Sequence, residues 1–210
     1  MPPDEHTEQR RTAIVTAARE AFARGGYAQT TMDEIAAAAG ISKGSLYNYF
    51  ESKEALFEAV LRAYALGVEE EIEAALAEET SAGEQLTEMI RQWYRRLEGI
   101  RDMSRLTLEF WATAAHTEPG RIGTTLSELY RRWRDRIAEI IAAGQAAGEF
   151  RERCDPAMQA ALLLGLLDGI EMQTVLGTGV ELTPVLMQAM VRQVLAGLGA
   201  PAAAPPKGGR

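Results

Sequence analysis

Apolar residues recur along most of this chain at the three- and four-residue spacing of helix faces. No stretch alternates apolar and polar positions between turn signals as a strand does. Good helix formers (Ala, Leu, Glu, Arg, Met) fill the intervals. The pattern predicts an all-α protein of about nine helices, without an internal repeat. The first covers about 10–24, with Ile14, Ala17, Ala18, Ala21 and Phe22 on one side, and Gly25-Gly26 ends it. Thr30 or Thr31 caps a short helix to Ala39, with Asp33 and Glu34 where the helix dipole favours negative charge. Gly40 stops it, Ser42 caps a brief helix over 43–49, and Ser52 opens a long one to about 78. Further helices are expected from Gly83 to about 97, from Asp102 or Ser104 to 116, and, after the break Glu118-Pro119-Gly120, on to about 147. Asp155-Pro156 and Thr183-Pro184 each set a cap before a proline at the first helical position, opening helices to about 176 and 198. Residues 1–9 and 200–210 offer no periodic apolar face and are expected to be a disordered arm and tail.

The segment 31–50, TMDEIAAAAGISKGSLYNYF, carries the most information. Two helices that cross steeply need a small residue where they approach, a glycine at the turn and apolar residues pinning their inner faces. Ala36, Gly40, and the set Ile35, Ala39, Ile41 and Leu46 meet those needs in turn. The arrangement is a helix-turn-helix, whose second helix lies in the major groove of DNA with its first residues at base edges. The outward residues of that helix are Ser42, Lys43, Ser45, Tyr47 and Asn48, short donors with one cation and one phenol, suited to phosphates and base edges. Lys53 stands at the start of the next helix, where free backbone N–H groups also favour a phosphate. A bare Ala-x3-Gly pattern also occurs in ordinary helical hairpins. Here it comes with a capping serine, a donor-rich outer face and the cluster Tyr47, Tyr49 and Phe50.

Charge cuts against that reading in bulk. The net charge is −8, and residues 1–57 alone hold six Lys/Arg against eight Asp/Glu. Any affinity for DNA therefore depends on where a few cations sit. The composition, 47% hydrophobic and 25% charged, is that of a globular chain with a real core. The aliphatic run near Ala160 is too short to span a bilayer, and the first residues carry no secretion pattern, so a cytoplasmic protein is expected. His6, His116 and Cys154 are too isolated for a metal site, the single cysteine makes no internal disulfide, and no phosphate loop or catalytic nucleophile stands out. No cofactor and no catalytic residue are expected. Arg131, Arg132, Arg134 and Arg136 form a basic run, but acidic residues at helical pair spacing make it a solvated face.

Residues 10–61 closely resemble the DNA-binding domain of TetR/AcrR-family transcriptional regulators, above all in the run TTMDEIAAAAGISKGSLYNYFESKEALFEAVL. The resemblance implies that Thr31, Ser42, Lys43, Ser45, Tyr47, Tyr49 and Lys53 face DNA, while Ile35, Ala36, Gly40 and Leu46 hold the motif together. Asn48 stands where the family varies widely. The resemblance further implies a DNA-binding domain at 10–54 and a ligand-binding and dimerisation domain at 55–199. In that second domain the helices 157–176 and 184–198 would form a four-helix bundle with their copies in a second subunit. The interface residues expected there are Leu162, Leu166, Ile170, Leu186, Met190 and Val194, although both helices could instead fill the core of one chain.

All three tryptophans fall in the middle third, with Met172 and Gln173 able to approach from a later helix. Large aromatics around a few polar groups suit an apolar small-molecule pocket, and Met103, Leu106, Phe110, Trp111, Tyr130, Trp133, Met172 and Gln173 are its candidate lining. Plain core is the competing account of each. Glu109, Arg105 and His116 are possible polar anchors. The resulting expectation is a homodimeric, ligand-responsive regulator, read as a repressor, that binds a palindromic operator and leaves it when a small apolar or amphipathic effector binds. The family implies that the long helix from Ser52 transmits this change. The alternative is a helical small-molecule-binding protein or enzyme with a vestigial DNA-binding head.

Overall fold

The computed structural model describes the backbone of residues 5–99, 101–116 and 120–199 and the side chains of 6–97, 106–115 and 120–199. Among the described residues it is all-α. The helices are α1 (Glu5–Gln29), α2 (Met32–Ala38), α3 (Lys43–Tyr49), α4 (Lys53–Leu76), α5 (Ala82–Gly99), α6 (Arg101–His116), α7 (Arg121–Ala146), α8 (Pro156–Val175) and α9 (Pro184–Leu198). They divide into two compact units, one of Met1–Glu70 with Ile100–Tyr130, the other of Glu71–Gly99 with Arg131–Arg210.

The first unit holds the predicted head. Ile14 and Phe22 of α1, Ile35 of α2, Leu46 of α3, Leu56 and Phe57 of α4, and Leu106 and Phe110 of α6 are fully buried. Rings run through this core: Phe57 lies 4.9 Å from Phe22, 4.5 Å from Tyr27 and 4.5 Å from Phe110, centroid to centroid. Tilted and edge-on pairs of this kind each add about 0.5–1.5 kcal/mol beyond the area they bury. They join α1, α4 and α6 through one side chain, Phe57.

Two boundaries differ from the sequence pattern. α1 begins at Glu5, within the stretch expected to be disordered, because exposed Glu, Gln and Arg sustain a helix by propensity without any apolar face. The rest of that arm and the tail 200–210 lie outside the described residues. At the other end Gly26, with φ +74°, breaks α1 as expected, yet one further turn follows to Gln29. Thr30 is buried and donates through Oγ1 to the carbonyls of Gly26 and Ala21, at 2.8 and 3.2 Å. That leaves Thr31 as the cap of α2.

In the second unit Leu86 and Ile90 of α5, Ile137, Ile140 and Ile141 of α7, Ala160, Leu163 and Leu167 of α8, and Met190 and Leu198 of α9 form one core. The Glu149 carboxylate accepts the backbone N–H groups of Ala82 (3.2 Å) and Gly83 (3.0 Å), capping α5 from a distant part of the chain. α8 is apolar on more sides than this core covers: Met158 and Leu162 are each 61% exposed, and Leu176, its C-cap, 63%. No helix among the described residues is long and apolar enough to cross a membrane.

Candidate nucleic-acid interface

α2 starts with a reciprocal capping box. Thr31 Oγ1 accepts the Glu34 N–H at 3.2 Å, and a Glu34 oxygen accepts the Thr31 N–H at 2.8 Å. The carboxyl of Glu34 is held below its ordinary pKa chiefly by that backbone bond, then by the Thr31 hydroxyl. After Ala39, Gly40 takes φ +67°, which a side chain would strain, and the Ile41 N–H closes the turn on the Ala36 carbonyl at 3.0 Å. Ser42 then caps α3 by accepting the Ser45 N–H at 3.1 Å, its Oγ also 3.0 Å from Ser45 Oγ. Ile35, Ala36 and Leu46 pin the two helices from inside.

The structure brings the predicted head residues onto one short motif but treats them unequally. Thr31, Ser42, Lys43, Tyr47 and Asn48 are exposed, and Ser45 and Tyr49 are half-buried. Tyr47 is the most open aromatic of the head, 45% exposed. Lys43 is paired: its Nζ lies 2.8 Å from Asp33 Oδ1, and that hydrogen bond and charge raise its pKa. Lys53 is engaged inside the head. Its Nζ donates to the carbonyls of Thr30 (2.8 Å) and Ala28 (3.2 Å) and lies 4.6 Å from the centre of the Tyr27 ring. Desolvation there pulls its pKa down.

A contact absent from the sequence reading links α6 to the same turn. Glu109 Oε2 accepts the Tyr27 N–H at 3.2 Å, and a Cβ placed on Gly26 would stand 2.8 Å from Glu109 Oε1. Gly26 therefore serves both the positive φ and the close approach of the carboxylate. The Gly25-Gly26 pair marked the turn; Glu109, 82 residues on from Tyr27, was read from the sequence only as a candidate polar anchor for a ligand, not as a partner of this turn.

Of the candidate lining residues in the first unit, Leu106 and Phe110 are fully buried core, and half-buried Trp111 donates through Nε1 to the Tyr130 hydroxyl at 3.1 Å. In the second unit Trp133 is half-buried, while Met172 and Gln173 are exposed. The side chains of Met103, Arg105 and His116 lie outside those described. Of the candidate interface residues, Leu162 is open, Leu166, Ile170, Leu186 and Val194 are half-buried, and Met190, only 4% exposed, packs into the core of its own unit.

A capped helix-turn-helix with outward donors on α3, carried by a helical body, defines a DNA-binding transcriptional regulator. Residues 14–60 match the family described as bacterial regulatory proteins, tetR family, and residues 82–200 match the BetI-type transcriptional repressor C-terminal family. The chain belongs to the TetR family of transcriptional regulators, with a BetI-type C-terminal region. It is 28% identical over 157 residues to the repressor KstR2 of Rhodococcus jostii, spanning 73% of this chain and 76% of that protein. It is 24% identical over 155 residues to the fatty acid metabolism regulator protein of Bacillus subtilis, 74% of this chain and 78% of that one. Among solved structures, the regulator FadR of Bacillus subtilis in complex with stearoyl-CoA superposes with a TM-score of 0.78 at 22% identity, covering 89% of this chain and 98% of that one. A regulator from Saccharomonospora viridis in complex with choline gives 0.76 at 25% identity, covering 89% and 94%.

Proposed function

We propose that the protein is a repressor that binds a palindromic operator as a homodimer and is released by a small apolar or amphipathic effector. In this reading Thr31, Ser42, Lys43, Ser45, Tyr47, Asn48 and Tyr49 form the DNA face, with the start of α4 at Lys53 beside them. The exposed stripe of α8, with Leu162 and the half-buried Leu166, Ile170, Leu186 and Val194, pairs with its copy.

The observation that carries the effector part is the hydrogen bond from Tyr27 N–H to Glu109. α6 holds Glu109 on the turn that sets α2, and two residues along the same helix it presents Trp111 to Tyr130. An effector that packs against Trp111 and displaces α6 by a fraction of an ångström breaks or redirects that bond, because packed cores shift between discrete arrangements rather than deform smoothly. Binding next to Trp111 and release of DNA are then two readouts of one equilibrium.

The test uses a duplex selected from a random pool by the wild-type protein, and a panel of apolar and amphipathic compounds that includes stearoyl-CoA, with choline added as a small cation. Tryptophan quenching reports binding, and anisotropy of the labelled duplex reports release. An effector is expected to weaken DNA binding by roughly 5- to 150-fold. Glu109→Ala should leave quenching in place and shrink that factor toward one. Compounds that quench the wild type but not Trp111→Phe, yet leave the wild type's DNA affinity unchanged, contradict the coupling.

A further inference from the structure

The chain has three lysines, two of them in the head, and both of those are engaged: Lys43 by Asp33, Lys53 by two carbonyls and a ring. A head with more acidic than basic residues must still neutralise phosphates, because charge neutralisation supplies most of the non-specific affinity for DNA. Arg11 answers that need. Its guanidinium carbon lies 4.6 Å from the centre of the Phe50 ring, and no carboxylate partners it among the described residues. Phe50 is buried and terminates the recognition helix, its N–H accepted by the Leu46 carbonyl at 3.0 Å. The cation of Arg11 is therefore fixed at the C-terminal end of α3 by a residue of α1.

Two physical facts give that position meaning. A helix whose first residues meet base edges carries its far end toward the phosphates, as the last turn of a homeodomain recognition helix does. That same end is the negative pole of the helix, and α3 has no basic residue of its own in its last turn. A phosphate there would be repelled unless a cation stood beside it. A guanidinium stacked on a ring keeps its N–H edge free for a bidentate bond to phosphate.

We infer that Arg11 is a phosphate-binding residue of the DNA interface, positioned by Phe50. The inference rests on the DNA-binding reading above, and the experiment separates the two. Full-length protein is measured on the duplex it selects from a random pool, with affinity followed against salt concentration. If the wild type selects no duplex, the DNA-binding reading itself fails. If it does, Arg11→Gln should lower affinity roughly tenfold or more and reduce the log–log salt slope by about 0.9 per bound subunit. Arg11→Lys keeps the charge and should keep most of the slope. Phosphate-ethylation interference supplies a readout that a merely structural residue would not move: one interfering phosphate per half-site should vanish in Arg11→Gln while the rest persist. Thermal melting of each variant shows that the comparison is made on folded protein. An unchanged slope and an unchanged interference pattern in folded Arg11→Gln would overturn the inference.

Discussion

Asp33 sits in the first turn of α2, where its charge suits the helix dipole, and it also holds Lys43, the sole cation on the outward face of α3. Both side chains are well exposed, so the pair adds little to stability. Its effect is on where Lys43 points. Asp33→Ala removes both the acceptor and the charge that hold the ammonium, and DNA affinity should rise, with a salt slope steeper by about 1 per subunit. Titration of labelled duplex at several salt concentrations checks it; a weaker or unchanged affinity would show that the pair does not hold Lys43 back from DNA. Glu34 carries a pH signature of its own. Its folded pKa is depressed, so its contribution is complete above the ordinary carboxylate value and is lost as pH falls through the lowered one. Glu34→Gln should flatten the acid limb of a melting-temperature profile in that window, and an acid limb identical to wild type would show that the capping box does not titrate. At this scale the sequence was partly legible. That Thr31, Ser42, Lys43 and Tyr47 lie exposed follows from their type and position. The pairing of Lys43 and the engagement of Lys53 do not, because each depends on a residue ten or more positions away.

Among the helices, α3 raises the question of why a seven-residue recognition helix contains a glycine. Gly44 lies in the first turn, exposed, and a Cβ there would approach nothing within the chain closer than Ser42 Oγ at 4.0 Å. Glycine in a helix costs about 0.5–1 kcal/mol relative to alanine. Nothing inside the molecule explains bearing that cost, whereas close approach of backbone to DNA does. Gly44→Ala should raise the melting temperature by a few degrees and lower DNA affinity. A variant that is both more stable and equally tight would remove the first turn of α3 from the contact surface. Helix types and most boundaries were legible because caps and prolines punctuate them: Thr31, Ser42, Asp155-Pro156 and Thr183-Pro184 all cap as their pattern predicts. α1 escaped the pattern at its start because a solvent-exposed helix needs no apolar face. The capping of α5 by Glu149 escaped it because the donor and acceptor are 66 and 67 residues apart.

For the whole molecule, an apolar stripe on α8 that its own core leaves open is costly to expose, and large contiguous patches of this kind mark interaction sites. Placing a charge there is a direct probe. Leu162→Asp leaves the monomer core untouched, since Leu162 is open, and should convert a dimer to a monomer by light scattering at micromolar concentration. Met190→Asp should instead unfold the chain, because Met190 is core. A Leu162→Asp protein as dimeric as the wild type would move the interface elsewhere. The stripe was visible in the sequence as a helix with no polar face; which residues of it turn inward was not, because Leu163 and Leu162 differ only by where the other helices happen to lie. Sequence-selective DNA binding through α2 and α3 leaves a symmetric imprint on the DNA it selects. Selection of duplexes from a random pool by the full-length protein, followed by footprinting of the enriched sequence, should return a two-fold symmetric site protected over two half-sites about one helical turn apart, or a multiple of it. Folded Tyr47→Ala should lose that footprint. A pool that enriches no sequence, or a footprint that survives Tyr47→Ala unchanged, would contradict the account.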